Sequence, residues 1–197
     1  MSALTKKKKY TPEEYLALEE KAEYRSEYWD GIIVPLNSES PNLGGASVNH
    51  NQIVSNLIEV LSAKLKKKGC RTFANDLKIW IEKRRRFFYP DLAVICGKIE
   101  YVEDRNDTIS NPIVIVEVLS DSTEAKDRGE KMLAYRTLES LQEYVLVAQD
   151  KAIVEQYTKN EDENWIHKAT IGLKSIVRFE SIEIELTLEE IYQRIKL

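Results

Sequence analysis

The order of elements legible in this chain predicts a mixed α/β fold of the α+β kind. Its core runs helix, three strands, helix, strand, with a helix and hairpin in front and an antiparallel meander behind. Three observations predict it. Residues 113–119 are apolar except for Glu117, a β-branched run bounded by Pro112 and Ser120 that reads as a strand covered on both faces. Residues 48–67 and 123–138 bracket the strand-forming middle of the chain with helical patterns. From residue 152 onward, short runs alternate apolar and polar positions as an antiparallel meander does. At 197 residues, 43% hydrophobic and net charge −4, the chain suits one domain over 1–197 with its core at about 48–148.

Residues 1–10, with the run Lys6 to Lys9, read as a flexible, solvated tail. Thr11-Pro12-Glu13-Glu14 is a helix start: Thr11 caps, Pro12 takes the first position and Glu14 reaches back. That helix is expected to about residue 22. Asp30-Gly31 between apolar and aromatic residues signals a hairpin turn. Residues 35–47, rich in Asn, Ser, Gly and Pro, form a loop long enough to serve as a flap. Over 48–67, Ile53, Val54, Leu57, Ile58, Leu61 and Leu65 make one apolar helical stripe, with His50 at its first turn and Gly69 as the C-cap. Strands follow at 71–75, 78–82 and 87–96, the last two joined by the basic turn 83–86. Residues 97–111 read as a polar loop. After the strand at 113–119, Ser120, Asp121, Ser122 and Thr123 offer cap oxygens for the next helix. A strand at 143–148, the meander segments 152–158, 165–171, 176–178 and 182–184, and a closing helix at 188–195 complete the chain.

The chemistry concentrates on two acids. An ionised carboxylate in a buried strand costs several kcal/mol, roughly, unless a cation or hydrogen bonds meet it, so Glu117 requires a partner. Asp91, directly after Pro90, is the only acid in the run 87–96. If these strands pair, both carboxylates face one point, where repulsion raises a pKa unless a metal ion sits between them. The helix after Glu117 carries Asp127, Lys131 and Tyr135 at spacing four, on one face. Packed back on the sheet, that face can bring an ammonium to Glu117. Spacing alone favours the plainer reading of Asp127 and Lys131 as an exposed i,i+4 pair worth a few tenths of a kcal/mol.

Taken together, Glu27 to Gly31, His50, Pro90-Asp91, Glu117 to Ser120, Asp127, Lys131, Tyr135 and Glu143-Tyr144 resemble the Uma-two family of restriction-endonuclease-like proteins, within the PD-(D/E)xK nucleases. These matches run in order from about residue 24 to 148. The resemblance implies a restriction-endonuclease-like core and metal-dependent hydrolysis of DNA phosphodiester bonds. One position departs: where the generic nuclease signature has a lysine two residues after the glutamate, this chain has Leu119. The resemblance implies that the lysine has migrated to Lys131 on the next helix, with Lys126 as the competitor. Asp91, Glu117 and the carbonyl of Val118 would hold Mg²⁺ (or Mn²⁺), a hard cation that takes oxygen ligands and keeps several waters. Lys131 would orient or deprotonate the attacking water and offset transition-state charge. Glu27 and His50 are further ligand candidates, Asp127 a support for Lys131, and Tyr135 a packing residue at the site.

Other chemistries are excluded. His50 and His167 lack a Ser or Cys partner for a nucleophilic triad. Gly44-Gly45 lacks the lysine and spacing of a phosphate loop, and neither cysteine has zinc-ligand spacing. Cys70 and Cys96 are expected as reduced thiols in a cytoplasmic protein, and no apolar run is long enough for a membrane span. The net charge shows no general nucleic-acid footprint, so DNA contact is expected to be local, at basic clusters that include Lys66, Lys67, Arg84 and Arg85. No base-reading motif is visible. A homodimer is expected by analogy, since two sites cut both strands. The alternative, motivated by Leu119 and the acidic charge, is a catalytically inactive nuclease-fold module for nucleic-acid binding or assembly.

Overall fold

The computed structural model describes residues 8–36, 46–103 and 105–197. The anticipated flap at 35–47, the tail at 1–10 and Gly44-Gly45 lie wholly or mostly outside them. Thr11 makes the full capping box with Glu14 at the start of α1 (Pro12–Glu19). The hairpin β1 (Ser26–Trp29) and β2 (Ile32–Pro35) turns at Asp30 and Gly31, both at positive φ, which the Asp-Gly pair tolerates at low cost. Tyr15 of α1 stacks on Tyr28 and on Phe87, both at 5.3 Å, anchoring α1 to the hairpin.

The helix α2 (Val48–Leu65) buries the predicted stripe Ile53, Val54, Leu57, Leu61 and Leu65. Beyond it lie β3 (Cys70–Ala74), β4 (Lys78–Ile81), β5 (Arg86–Phe88), β6 (Leu92–Cys96), β7 (Thr108–Ile109), β8 (Val114–Val118), β9 (Glu143–Val147), β10 (Ile153–Lys159) and β11 (Trp165–Ile171). One sheet has the order β11-β10-β9-β8-β6-β3, parallel only between β8 and β9. The core series helix, three strands, helix, strand is therefore α2, β3-β6-β8, the helix at 124–135, and β9. The second sheet has the order β2-β1-β5-β4-β7.

Three expectations change here. The run 87–96 is not one strand: β5 belongs to the second sheet, and the chain crosses at Tyr89-Pro90-Asp91 into β6 of the first. Proline has no N–H for a ladder and a fixed φ, so a strand interrupted by it breaks there. Within 97–111, expected as loop, β7 pairs in parallel with β4. The last two meander segments likewise form a separate pair, β12 (Ile176–Phe179) with β13 (Ile184–Thr187), and the chain closes with a helix at Leu188–Ile191.

The cysteine expectation is overturned. Cys70 and Cys96 are directly opposed in the β3–β6 register and joined by a disulfide. Their 26-residue separation carried no hint of that register. Disulfides are rare in reducing compartments, so the thiol argument for a cytoplasmic location no longer applies. No described helix is long and apolar enough to cross a membrane.

Alternation along β8 positions the site. Val114, Val116 and Val118 face α2, whereas Ile115 and Leu119 pack with Tyr135 and Leu138 of the opposite layer. Glu117 shares that second face, under the 124–135 helix.

Candidate active site

Asp91 and Glu117 meet at the point where β6 begins and β8 ends. The amide of Val118 donates to Asp91 Oδ2 at 2.7 Å, and the amide of Asp91 donates to Glu117 Oε2 at 3.2 Å. Each acid is thus held by the other's strand. The N–H and C=O of one strand residue point the same way, so the Val118 carbonyl also turns toward this junction. His50 lies in the first turn of α2, where Ser47 caps the helix, and its Nε2 is 3.1 Å from Asp91 Oδ2. The imidazole Nδ1 has no hydrogen-bond partner among the described residues.

Lys131 arrives from above. Its helix is an α-helical turn (Glu124–Lys126), a π-helical stretch (Asp127–Lys131) and another α-helical turn (Met132–Tyr135). No side-chain cap from Ser120, Asp121, Ser122 or Thr123 holds its start, contrary to expectation; Ser120 caps through its carbonyl, which accepts from the amides of Thr123 and Glu124. The widened π turn displaces the 127 carbonyl from the regular ladder, and the buried Tyr144 hydroxyl donates to it at 2.9 Å. Lys131 Nζ lies 2.6 Å from Glu117 Oε1, 3.2 Å from Asp127 Oδ1 and 3.7 Å from Glu27 Oε1. Asp127 and Lys131 are therefore not an exposed pair; all four side chains are buried. Glu27 is oriented by the Trp29 indole N–H, which donates to its Oε2 at 3.1 Å. Lys126, the rival lysine, is exposed on the cleft rim. Leu119 is buried beside Tyr135 and Tyr144. The face where the generic signature carries its lysine is served by Lys131 instead.

The electrostatics follow from this crowding. Burial raises the Glu117 carboxyl well above its usual range, assisted by Asp127 and Asp91 and opposed by Lys131. Burial alone would lower Lys131, but Glu117, Glu27 and Asp127 outweigh it and hold the ammonium well above its ordinary pKa. Burial likewise pulls His50 down, and its hydrogen bond and attraction to Asp91 more than restore it, leaving it raised. Tyr135 is buried, its hydroxyl pushed far up by desolvation and without a hydrogen-bond partner among the described residues, so it packs and does not ionise.

Three carboxylates surround one ammonium, and Asp91 stands beside Glu117 as a fourth acid. Glu117 Oε1, despite its short contact with Lys131, and Asp127 Oδ1 have no aligned hydrogen-bond donor among the described residues. An excess of buried negative charge with orphaned hard oxygens is the donor chemistry of Mg²⁺ or Mn²⁺. No three His, Cys, Asp or Glu side chains among the described residues converge as a ready-made metal cage. Two carboxylates plus a carbonyl and waters nevertheless suffice for Mg²⁺, which rarely has an all-protein shell. The residues fit such an ion.

The site opens into a cleft of about 490 Å³. Arg25, Tyr89 and Gln149 line it and were not anticipated from the sequence. Arg25 is tied to the Asn75 carbonyl and to Asp76. Arg25 and Tyr89 adjoin residues the sequence singled out but reach the cleft through the hairpin and the crossing between the sheets, and Gln149 reaches it from just past the end of β9. The basic residues singled out for DNA contact do not gather here. Lys66 and Lys67 are exposed just past the far end of α2, about 24 Å from His50 at 1.5 Å per residue. Arg84 and Arg85 lie in the exposed β4–β5 turn, Arg85 paired with Asp30, three strand residues or about 10 Å beyond Glu27.

Paired acid-bearing strands in a mixed sheet, overlain by a lysine-bearing helix, define a protein of the restriction-endonuclease-like nuclease fold. The solved structure of "a putative nuclease belonging to DUF820" from Anabaena variabilis shares it, with a TM-score of 0.72 at 20% identity over 93% of this chain and 97% of that one. More particularly, the chain belongs to the Uma2 (Uma-two) family, described as "Putative restriction endonuclease", whose model matches residues 12–190. Two Synechocystis proteins are similar to it. "Uncharacterized protein sll1609" is 34% identical over 88% of this chain and 94% of its own length. "Uncharacterized protein slr1290" is 38% identical over 80% of this chain and 78% of its own.

Proposed function

We propose that the protein is a DNA endonuclease that hydrolyses phosphodiester bonds with Mg²⁺ or Mn²⁺. One observation carries the reading: Asp91 and Glu117, each fixed by the other's strand amide, converge beside an ammonium 2.6 Å from Glu117. Asp91, Glu117 and the Val118 carbonyl would hold the ion. When bound, it supplies Lewis-acid polarisation of a phosphoryl oxygen and a lowered pKa for a bound water. Lys131 acts as a fixed cation: three carboxylates keep its proton on, so it orients water and offsets charge on the phosphoryl oxygens without serving as base. Asp127 and Glu27 aim that ammonium, and His50 fixes the rotamer of Asp91 through Nε2. Two-fold pairing of copies would let both strands be cut, and β11 is an outer edge of the large sheet where a second copy can add.

The test is cleavage of plasmid and oligonucleotide DNA with Mg²⁺ or Mn²⁺. Asp91→Ala and Glu117→Gln are expected to abolish it while circular dichroism stays unchanged; undiminished cutting by both folded variants refutes the proposal. The short Lys131–Glu117 contact also favours a second reading, a non-cleaving nucleic-acid-binding module in which the ammonium permanently takes the cation's place. Calorimetric titration with Mg²⁺ separates them: saturable binding lost in Asp91→Ala supports the enzyme, and its absence supports the module.

A further inference from the structure

Beside the cleft lies a second cavity of about 530 Å³, and Arg25 and Tyr89 form a wall common to both. Tyr89 precedes Asp91 by two residues, about 7 Å of extended chain, roughly the reach of one nucleotide. The back of the cavity is closed by Lys78, whose side chain is 5% exposed and whose Nζ is 2.6 Å from Asp107. Arg105 grips the same carboxylate at 2.9 and 3.0 Å. That guanidinium, with Lys78, holds the Asp107 carboxyl well below its usual range. Glu19, Glu20 and Glu23 line the cavity as well. Glu19 accepts from the Ser26 amide and the Tyr89 hydroxyl.

Four carboxylates therefore outnumber three cations, and two of those cations are spent on Asp107. A phosphate is repelled here. A flat, neutral group with amino and amide edges fits: Tyr24 stands among the lining residues with 59% of its surface exposed, an aromatic face ready for stacking. Asn106 and the glutamates can meet exocyclic amino groups, which bases present on their pairing edges.

We infer that this cavity receives the nucleobase next to the scissile phosphate, taken out of the stack, so that the preferred substrate is single-stranded or locally unpaired nucleic acid. The inference rests on the endonuclease reading of the adjoining cleft. A base inside a duplex cannot reach a side pocket without unstacking, a cost that an unpaired strand has already met. Phosphates remain in the Asp91–Glu117 cleft while the neighbouring base turns past Arg25 toward Tyr24.

The test uses the full chain in EDTA, so that binding is read without cleavage. Anisotropy and 2-aminopurine fluorescence follow a labelled single strand and its matched duplex. The single strand is expected to bind more tightly, with 2-aminopurine quenched on binding. Tyr24→Ala should shrink the single-strand preference about tenfold, and Tyr24→Phe should keep it, since stacking needs the ring and not the hydroxyl. Equal binding of duplex and single strand, an unchanged preference in Tyr24→Ala, or no binding of either overturns the inference. Metal-dependent cutting of matched duplex, lost in Asp91→Ala but indifferent to Tyr24→Ala, overturns this inference alone and leaves the endonuclease reading standing.

Discussion

Lys131→Met is the most informative perturbation. At an effective dielectric of about 20, contacts of 2.6, 3.2 and 3.7 Å give gross attractions of roughly 6, 5 and 4.5 kcal/mol. Desolvation of four buried ions and repulsion among the acids cancel most of that sum, and removing one partner of a buried ionic cluster typically costs about 3–5 kcal/mol. The methionine variant should lose about that much in urea unfolding near neutral pH. Glu117 sets the sign with pH. Its folded pKa is raised above the ordinary 4.5, so the stability it contributes is fully present below that value and is lost as pH rises through the folded value. Loss of the ammonium raises it further, so the deficit is largest at alkaline pH and shrinks on acidification toward 4.5. Activity should fall about 10²–10³-fold, the scale of removing one transition-state charge stabiliser, while Mg²⁺ binds more tightly because a competing cation has gone. The double variant Glu117→Gln/Lys131→Met should recover part of the stability, the share due to an uncompensated Glu117, while Asp127 and Glu27 remain without their ammonium. A folded Lys131→Met that cleaves at the parental rate, or binds Mg²⁺ more weakly, refutes the role given to this lysine.

Other perturbations probe other levels. Asp107→Asn strands the buried Lys78 and should cost about 2 kcal/mol at pH 7, below the fully buried range because Asp107 is 38% exposed. Because the Asp107 pKa is depressed on folding, its contribution is present above about 3.8 and fades as pH falls below that, so urea midpoints of parent and variant should converge in acid. Reducing Cys70–Cys96 opens a loop spanning 26 residues and should destabilise by up to about 3.5 kcal/mol on the loop-entropy scale; identical urea curves with and without dithiothreitol contradict it. Lys66→Ala and Lys67→Ala should leave the salt dependence of DNA binding unchanged, given their distance from the cleft. A slope reduced by about one per substitution would instead route DNA along the far end of α2.

Much of the arrangement was legible in the chain because local rules were undisturbed. The Thr11 capping box, the Asp30-Gly31 turn and the α2 stripe formed as their periodicities and backbone preferences dictate. A lone acid in an otherwise apolar strand demands a partner wherever the strand lies, so Glu117 stands out in the sequence itself, and Asp91 stands out as the one acid in a run that reads as a strand. What one-dimensional reading could not supply were relations set by register and by sheet choice. The run 87–96 looks continuous, yet Pro90 passes it between sheets. Cys70 and Cys96 bond because β3 and β6 align in one register of several. Spacing made Asp127 and Lys131 an ordinary exposed pair, whereas a π turn and the packing of the 124–135 helix on β8 bury them against Glu117. Arg25, Tyr89 and Trp29 owe their places to the crossing of the sheets.

The chain's own pattern thus determined which residues had to be compensated. Only the tertiary structure decided what compensates them, because charge energies vary with distance and burial, and both are properties of the packed sheets and not of spacing along the sequence.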